Sequence, residues 1–366
     1  MVPDTLKSRI LLLLRSGAAV SDDEFTELAL ELHRAQRNAS SFLERYYTRA
    51  AASNPRHWSE ISGLPSSAFK RTAICTFAEA TALTCFQTSG TTQGDSGRHY
   101  FETLEFYEAA IQENFRAHLL PDGKRMPMFI LTPPPQDAPH SSLVHMMKVV
   151  SEKFGTGDSQ YFLRDGSLEV EGLVERLQHT TGIGQPIFLL GTAFALVYFL
   201  DALAARKLRL EIPPGSRIME TGGFKGRSRE IARESFYPML SVAIGVPESH
   251  IVNEYGMTEL SSQFYDLSLA QRIPTAHKSI PPYTRILCVD PATGQPVPDG
   301  VPGLLRIYDL ANVGSCCVLQ TEDVGIAHGA SFEVHGRVPA APIRGCSLAA
   351  EDALAGSKMS THVTPL

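Results

Sequence analysis

Four short strand-like segments, each closed by glycine, proline or a polar residue, constrain the fold more tightly than any other feature of the chain. They are Met128–Thr132, Pro186–Thr192, Ser216–Glu220 and His250–Asn253. Met128–Thr132 and Pro186–Thr192 are continuous apolar runs, the pattern of strands buried on both faces, as in a parallel sheet covered by helices, and the other two segments read as further strands of the series. Helical segments alternate with them. Leu104, Tyr107, Ile111 and Phe115 recur at helical spacing and predict a helix over Glu102–His118, and further helices are expected up to about Ala205 and from about Ser228. The alternation predicts an α/β architecture of layered sheets and helices, at least partly parallel. Ligands of such sheets gather beyond the carboxyl ends of the strands, where Gly222-Gly223 and Tyr255-Gly256 fall.

The flanks have a different texture. Ser21-Asp22-Asp23-Glu24 reads as a capping box, followed by Phe25, Leu28, Ala29, Leu32 and Ala35 at helical spacing, so residues 1–80 are expected to be mainly helical. Residues 81–280 make the α/β core. From 281 to 350 the strand-like Tyr283–Val289 and Gly303–Tyr308, separated by the turn-rich PATGQPVPDG, predict a small β-rich subdomain, and 351–366 reads as a tail.

Composition removes several function classes. Thirty-three basic residues against 39 acidic give a net charge of -6, and no long basic patch exists, which argues against nucleic-acid binding. Six cysteines without C-x-x-C or zinc-ligand spacing fit a reduced, cytoplasmic setting. The apolar run Ile10–Leu14 is too short for a signal-peptide core or a membrane span. The chain has neither H-E-x-x-H nor G-x-S-x-G, which weakens metalloprotease and serine-hydrolase readings. His140 sits in a loop after a predicted strand, where it either orients a substrate carboxylate or is a plain loop residue.

Thr88-Ser89-Gly90-Thr91-Thr92-Gln93-Gly94 is a run of hydroxyl and glycine residues able to fold over an oligophosphate, with backbone N–H and side-chain O–H groups turned into one concavity. Such a run alone is ordinary loop composition. It is followed in order by Glu220-Thr221-Gly222-Gly223, Tyr255-Gly256-Met257-Thr258-Glu259, Thr321-Glu322-Asp323 and Gly336-Arg337. This ordered set resembles the adenylate-forming superfamily of acyl-CoA synthetases, peptide-synthetase adenylation domains and luciferases. Within it, METGGFKGRSREI and RGCSL are most similar to the LuxE-like acyl-protein synthetases, the long-chain-fatty-acid–protein ligases of bacterial bioluminescence.

The resemblance implies ATP-dependent activation of a carboxylic acid, expected to be a fatty acid, as an acyl-adenylate, with transfer to a thiol. Thr88, Ser89, Gly90, Thr91 and Thr92 would hold the β- and γ-phosphates, Thr258 would touch the α-phosphate, and Glu259 would hold Mg²⁺. Asp323 would accept from the ribose hydroxyls, Arg337 would contact ribose or phosphate, Gly222 and Gly223 would line the adenine and acyl pocket, and Tyr255 would stack on the base. Two departures from the superfamily stand out. Gln93 occupies the first loop, where many members have glycine and lysine, leaving Arg98 or Lys225 as alternative phosphate contacts. Only 29 residues follow Arg337, fewer than the usual lid domain with its catalytic lysine requires. By the same resemblance Cys346 would receive the acyl group and pass it to a reductase or carrier partner; Gly345 gives it freedom, and Arg344 favours its thiolate. Two alternatives stay open: transfer of the acyl group to CoA, a carrier protein or an amine, and a non-catalytic nucleotide-binding scaffold.

Overall fold

The computed structural model describes residues 1–50, 54–88, 96–222 and 231–337. The chain divides into two compact units. One comprises Met1–Glu113, Met257–Ser262 and Ile280–Leu366, and the other Asn114–Gly256 and Gln263–Ser279.

In the second unit the four strand-like segments become neighbouring strands. Met128–Leu131, Phe188–Thr192, Arg217–Thr221 and Ile251–Tyr255 pair in parallel in that order, with Gln160–Tyr161 parallel at one edge and Phe264–Tyr265 antiparallel at the other. Helices Ser142–Phe154, Val170–Gly182, Ala193–Ala205 and Arg233–Ile244 cover the sheet. Thr192 ends its strand and at once caps the next helix, its hydroxyl accepting from the Ala195 N–H at 3.2 Å. The helix expected from about Ser228 is described over Arg233–Ile244, and Ser228 itself lies outside the described residues. Phe129, Leu189, Leu196, Phe199, Ile218 and Leu240 belong to one fully buried cluster, and each such side chain stabilises the fold by roughly 1.5–3 kcal/mol.

The first unit opens with helices Asp4–Ser16, Asp22–Ala39 and Ser41–Arg49. Leu6, Ile10, Leu13 and Leu14 form the buried stripe of the first helix, and the Ser21 hydroxyl caps the second by accepting from the Glu24 N–H at 3.1 Å. Thr284–Val289, Gly303–Asp309, Val318–His328 and Ser331–Arg337 make an antiparallel meander, beside which Leu64–Pro65 pairs in parallel with Leu319 and Gln320. Trp58 packs edge-on against Phe25 and Tyr308, at 5.9 and 4.8 Å between ring centres. A separate hairpin, Thr84–Gln87 with Arg98–Phe101, brackets the hydroxyl- and glycine-rich run. No helix among the described residues is long and apolar enough to cross a membrane.

Candidate active site

The hairpin fixes both described ends of the first motif. Thr88 donates its N–H to the Gly97 carbonyl at 2.9 Å, and its Oγ1 accepts the Gly97 N–H at 2.8 Å. Ser96 closes the ring by donating its hydroxyl to the Thr88 carbonyl at 2.9 Å. Ser89, Gly90, Thr91, Thr92 and Gln93 lie outside the described residues.

Thr258 and Glu259 meet this hairpin within the same unit. A Cβ on Gly97 would lie 3.1 Å from Thr88 Cγ2 and 3.3 Å from Glu259 Oε1, so the absence of a side chain there lets the backbone approach the carboxylate. Glu259 is 7% exposed. Burial pushes its carboxyl above the usual range, opposed by its own backbone N–H and by the charges of Arg337 and Lys70, while Asp323 adds to the rise. The carboxylate receives no hydrogen bond from another side chain among the described residues. An acidic oxygen pair sheltered in this way suits a hard cation such as Mg²⁺.

The third and fourth motifs pair across adjacent strands. Asp323 stands opposite Arg337 in register, and Arg337 Nε donates to Asp323 Oδ1 at 2.9 Å. Thr321 shapes the approach: its hydroxyl donates to the Leu305 carbonyl at 2.9 Å and accepts the Asp323 N–H at 3.1 Å. The Arg337 side chain is 64% exposed, and an ion pair so open to water stabilises by only about 0–1 kcal/mol. Its chemical interest is an acceptor and a donor fork held side by side near Glu259.

Gly222 and Tyr255 belong to the second unit. Gly222 follows the strand Arg217–Thr221 with φ at 73°, a left-handed conformation that favours glycine. Tyr255 is half-buried and its ring lies 6.1 Å from that of Phe264. Between these strands sits a buried polar network that starts from Glu220 and Thr221 of the second motif and whose other members no motif announced. Glu220 accepts from the Tyr237 hydroxyl at 3.0 Å and from Asn253 Nδ2 at 2.7 Å, and Asn253 Oδ1 accepts from Lys278 Nζ. Arg233 pairs with Asp266 at 2.7 Å and lies over the Tyr237 ring, 4.4 Å from its centre. Thr221 donates to the Glu254 carboxylate, whose oxygen fills the space that a Cβ on Gly256 would need. Burial moves three of these groups toward neutrality: the Glu254 carboxyl is pushed up to about 7, Glu220 is raised, and the Lys278 ammonium is brought down to about 8.

Gly223, Lys225 and Cys346 lie outside the described residues. His140 is exposed in a turn, and Arg98 is exposed at the start of its strand. The other five cysteines are free, and burial is the leading cause that raises each thiol, Cys75 to about 11.

The helix-covered, mostly parallel sheet and the antiparallel meander define the class: this is the α/β fold of the adenylate-forming ligases. The chain is similar to ATP-bound MatB from Rhodopseudomonas palustris, with a TM-score of 0.52, 16% identity and coverage of 72% of this chain. It spans 49% of the MatB chain. It is also similar to 2-hydroxyisobutyryl-CoA ligase solved in the postadenylation state with 2-HIB-AMP, with a TM-score of 0.58, 12% identity and coverage of 88% of this chain and 70% of that one. The chain belongs to the acyl-protein synthetase family LuxE, whose family model matches residues 55–355. Among curated relatives, the long-chain-fatty-acid–luciferin-component ligase of Vibrio harveyi is 22% identical over 80% of this chain and 78% of its own length. The protein of the same name from Aliivibrio fischeri is 23% identical over 79% and 77%.

Proposed function

We propose that this protein is a ligase that uses ATP and Mg²⁺ to activate a carboxylic acid as its acyl-adenylate and then moves the acyl group to a thiol, its own Cys346. The acid is a long-chain fatty acid, as the names of the Vibrio harveyi and Aliivibrio fischeri relatives have it. One observation carries the reading. Thr88, Glu259, Asp323 and Arg337 are spread over most of the sequence, yet they lie together in one unit around the close approach of Gly97 to Glu259.

A carboxylate is a poor acyl donor because it is anionic and its leaving group is poor. In the first step its oxygen attacks the α-phosphorus and pyrophosphate leaves; in the second a thiolate attacks the acyl carbon and AMP leaves. Positioning and neutralisation of phosphate charge supply most of the acceleration in the first step. Thr88 and Gly97 flank the run that would receive the phosphates, and Glu259 would hold Mg²⁺, which would supply neutralisation of phosphate charge. Asp323 accepts from ribose hydroxyls, and Arg337, tethered to Asp323, contacts ribose or phosphate. The five described cysteines, raised by burial, make poor nucleophiles at neutral pH, which favours Cys346 as the acceptor. A reductase or carrier then takes the acyl group onward.

The test is intact mass after incubation with ATP, Mg²⁺ and a panel of carboxylic acids, read before and after hydroxylamine. An acyl-sized, hydroxylamine-labile adduct that is lost in Cys346→Ser is expected. An adduct that survives Cys346→Ser contradicts the assigned acceptor. Acid-dependent pyrophosphate release without any adduct assigns the acyl group to an acceptor outside the chain.

A further inference from the structure

Thr258 and Glu259 lie in a stretch without helix or strand, so their backbone polar groups need partners other than a regular ladder. Side chains provide them. His99 Nδ1 lies 2.8 Å from the Thr258 carbonyl oxygen, and Asn312 Nδ2 donates to the Glu259 carbonyl at 2.9 Å. Asp309 Oδ2 accepts the N–H groups of Ser261 and Ser262, both at 3.0 Å, and Ser261 donates its hydroxyl to Asn312 Oδ1.

His99 differs from the other clamps in where it comes from. It stands on the strand Arg98–Phe101, two residues after Gly97. The strand that brings the Gly97 backbone against the Glu259 carboxylate therefore also brings the His99 ring to the preceding carbonyl. The ring is 2% exposed and held between Phe69 and Phe101, with centres 5.4 and 4.2 Å away. A carbonyl only accepts, so Nδ1 carries the proton. Burial brings the imidazole down to about 4, which keeps it neutral at physiological pH and leaves Nδ1–H as the donor throughout that range.

We infer that His99 is a positioning residue for the metal-and-phosphate site: its Nδ1–H fixes the Thr258 carbonyl and so sets the direction in which Glu259 projects toward the hairpin. The inference rests on the assignment of Glu259 to Mg²⁺ under the proposed function. His99 acts through the backbone of Thr258 and Glu259 and is not itself assigned as a ligand. Neighbours that orient a metal ligand typically govern about 10–100-fold of metal affinity.

Asparagine carries its amide nitrogen on Cγ, where histidine carries Nδ1, so His99→Asn keeps the donor. His99→Leu removes it while keeping an apolar side chain in the aromatic sandwich. Calorimetric titration of ATP into each full-length variant, with and without Mg²⁺, reads the role apart from turnover. The expected result is a loss of about tenfold or more in Mg·ATP affinity for His99→Leu, near wild-type affinity for His99→Asn, and little change in either when Mg²⁺ is absent. Equal weakening with and without Mg²⁺, or no weakening in His99→Leu, overturns the inference. Should His99→Leu fail to fold, His99→Gln replaces it, since its amide reaches the Nε2 position instead, and the same comparison with His99→Asn decides. Glu259→Gln separates the two readings: if it leaves Mg·ATP affinity unchanged, the assignment of Glu259 fails, whatever His99 does.

Discussion

Replacing Glu254 with glutamine should change how the stability of the protein depends on pH. The carboxyl is fully buried on the strand Ile251–Tyr255, accepts from Thr221, and is pushed up to about 7 by desolvation from an ordinary value of 4.5. In the unfolded chain the group loses its proton near the ordinary value, whereas the folded protein keeps it to about 7. The folded state thus binds more protons in that window, and stability falls as pH rises through it. Between about pH 5.5 and about pH 8 the folded protein gives up a preference of about 1.5 pK units, which at 1.36 kcal/mol each is about 2 kcal/mol. Glutamine keeps the volume and the acceptor for Thr221 but does not titrate. Urea denaturation of wild type and Glu254→Gln at both pH values should show the variant gaining about 2 kcal/mol relative to wild type at the higher pH. The same difference at both pH values would refute the claim that this carboxyl enters the fold as a neutral acid. Glu254 immediately precedes Tyr255-Gly256, and its oxygen occupies the space beside Gly256.

Other outcomes follow from the same geometry. Glu259 must be ionised to hold Mg²⁺, and its carboxyl is raised, so the Mg²⁺ midpoint for ATP binding should rise as pH falls, starting at a higher pH than an ordinary carboxylate would give; a midpoint constant down to the ordinary carboxylate range contradicts this. Gly97→Ala places a methyl 3.1 Å from Thr88 Cγ2 and 3.3 Å from Glu259 Oε1, and should raise the KM for Mg·ATP about tenfold while the melting temperature stays within a few degrees; unchanged kinetics would mean that the close approach is not used. Asp323→Ala should raise the KM for ATP about tenfold yet alter stability by no more than about 1 kcal/mol, because its partner Arg337 is largely in water; a large loss of stability with normal kinetics would make the pair structural.

The sequence revealed different parts of the molecule to different degrees. Met128–Leu131 and Phe188–Thr192 were legible because strands buried on both faces are apolar almost throughout, and Arg217–Thr221 and Ile251–Tyr255, which carry polar residues into the core, lie within a residue or two of the segments read as strands from their short apolar centres and the glycines that follow. The helix expected over Glu102–His118 is Glu105–Leu119, since an apolar stripe fixes the face of a helix better than its ends. Asp323 and Arg337 were legible as motifs, and their pairing follows from the register of two adjacent strands. What stayed hidden are side chains whose partners are backbone atoms or other buried polar groups. His99 serves a carbonyl 159 residues away, and Asn312 and Asp309 serve the same segment from a third part of the chain. Lys278, in an unremarkable polar stretch, is 3% exposed and bonded to Asn253. No periodicity marks such residues, because their placement is decided by which distant segments pack together. Nor does linear order reveal that Met257–Ser262 belongs with one unit while the residues on either side belong with the other.

Acid-dependent exchange of labelled pyrophosphate into ATP, measured for wild type and Glu259→Gln, tests the central claim most directly. The account predicts exchange that requires a long-chain carboxylic acid and Mg²⁺ and falls by about a hundredfold or more in Glu259→Gln. ATP binding with no exchange for any acid, or exchange undiminished in Glu259→Gln, would contradict it.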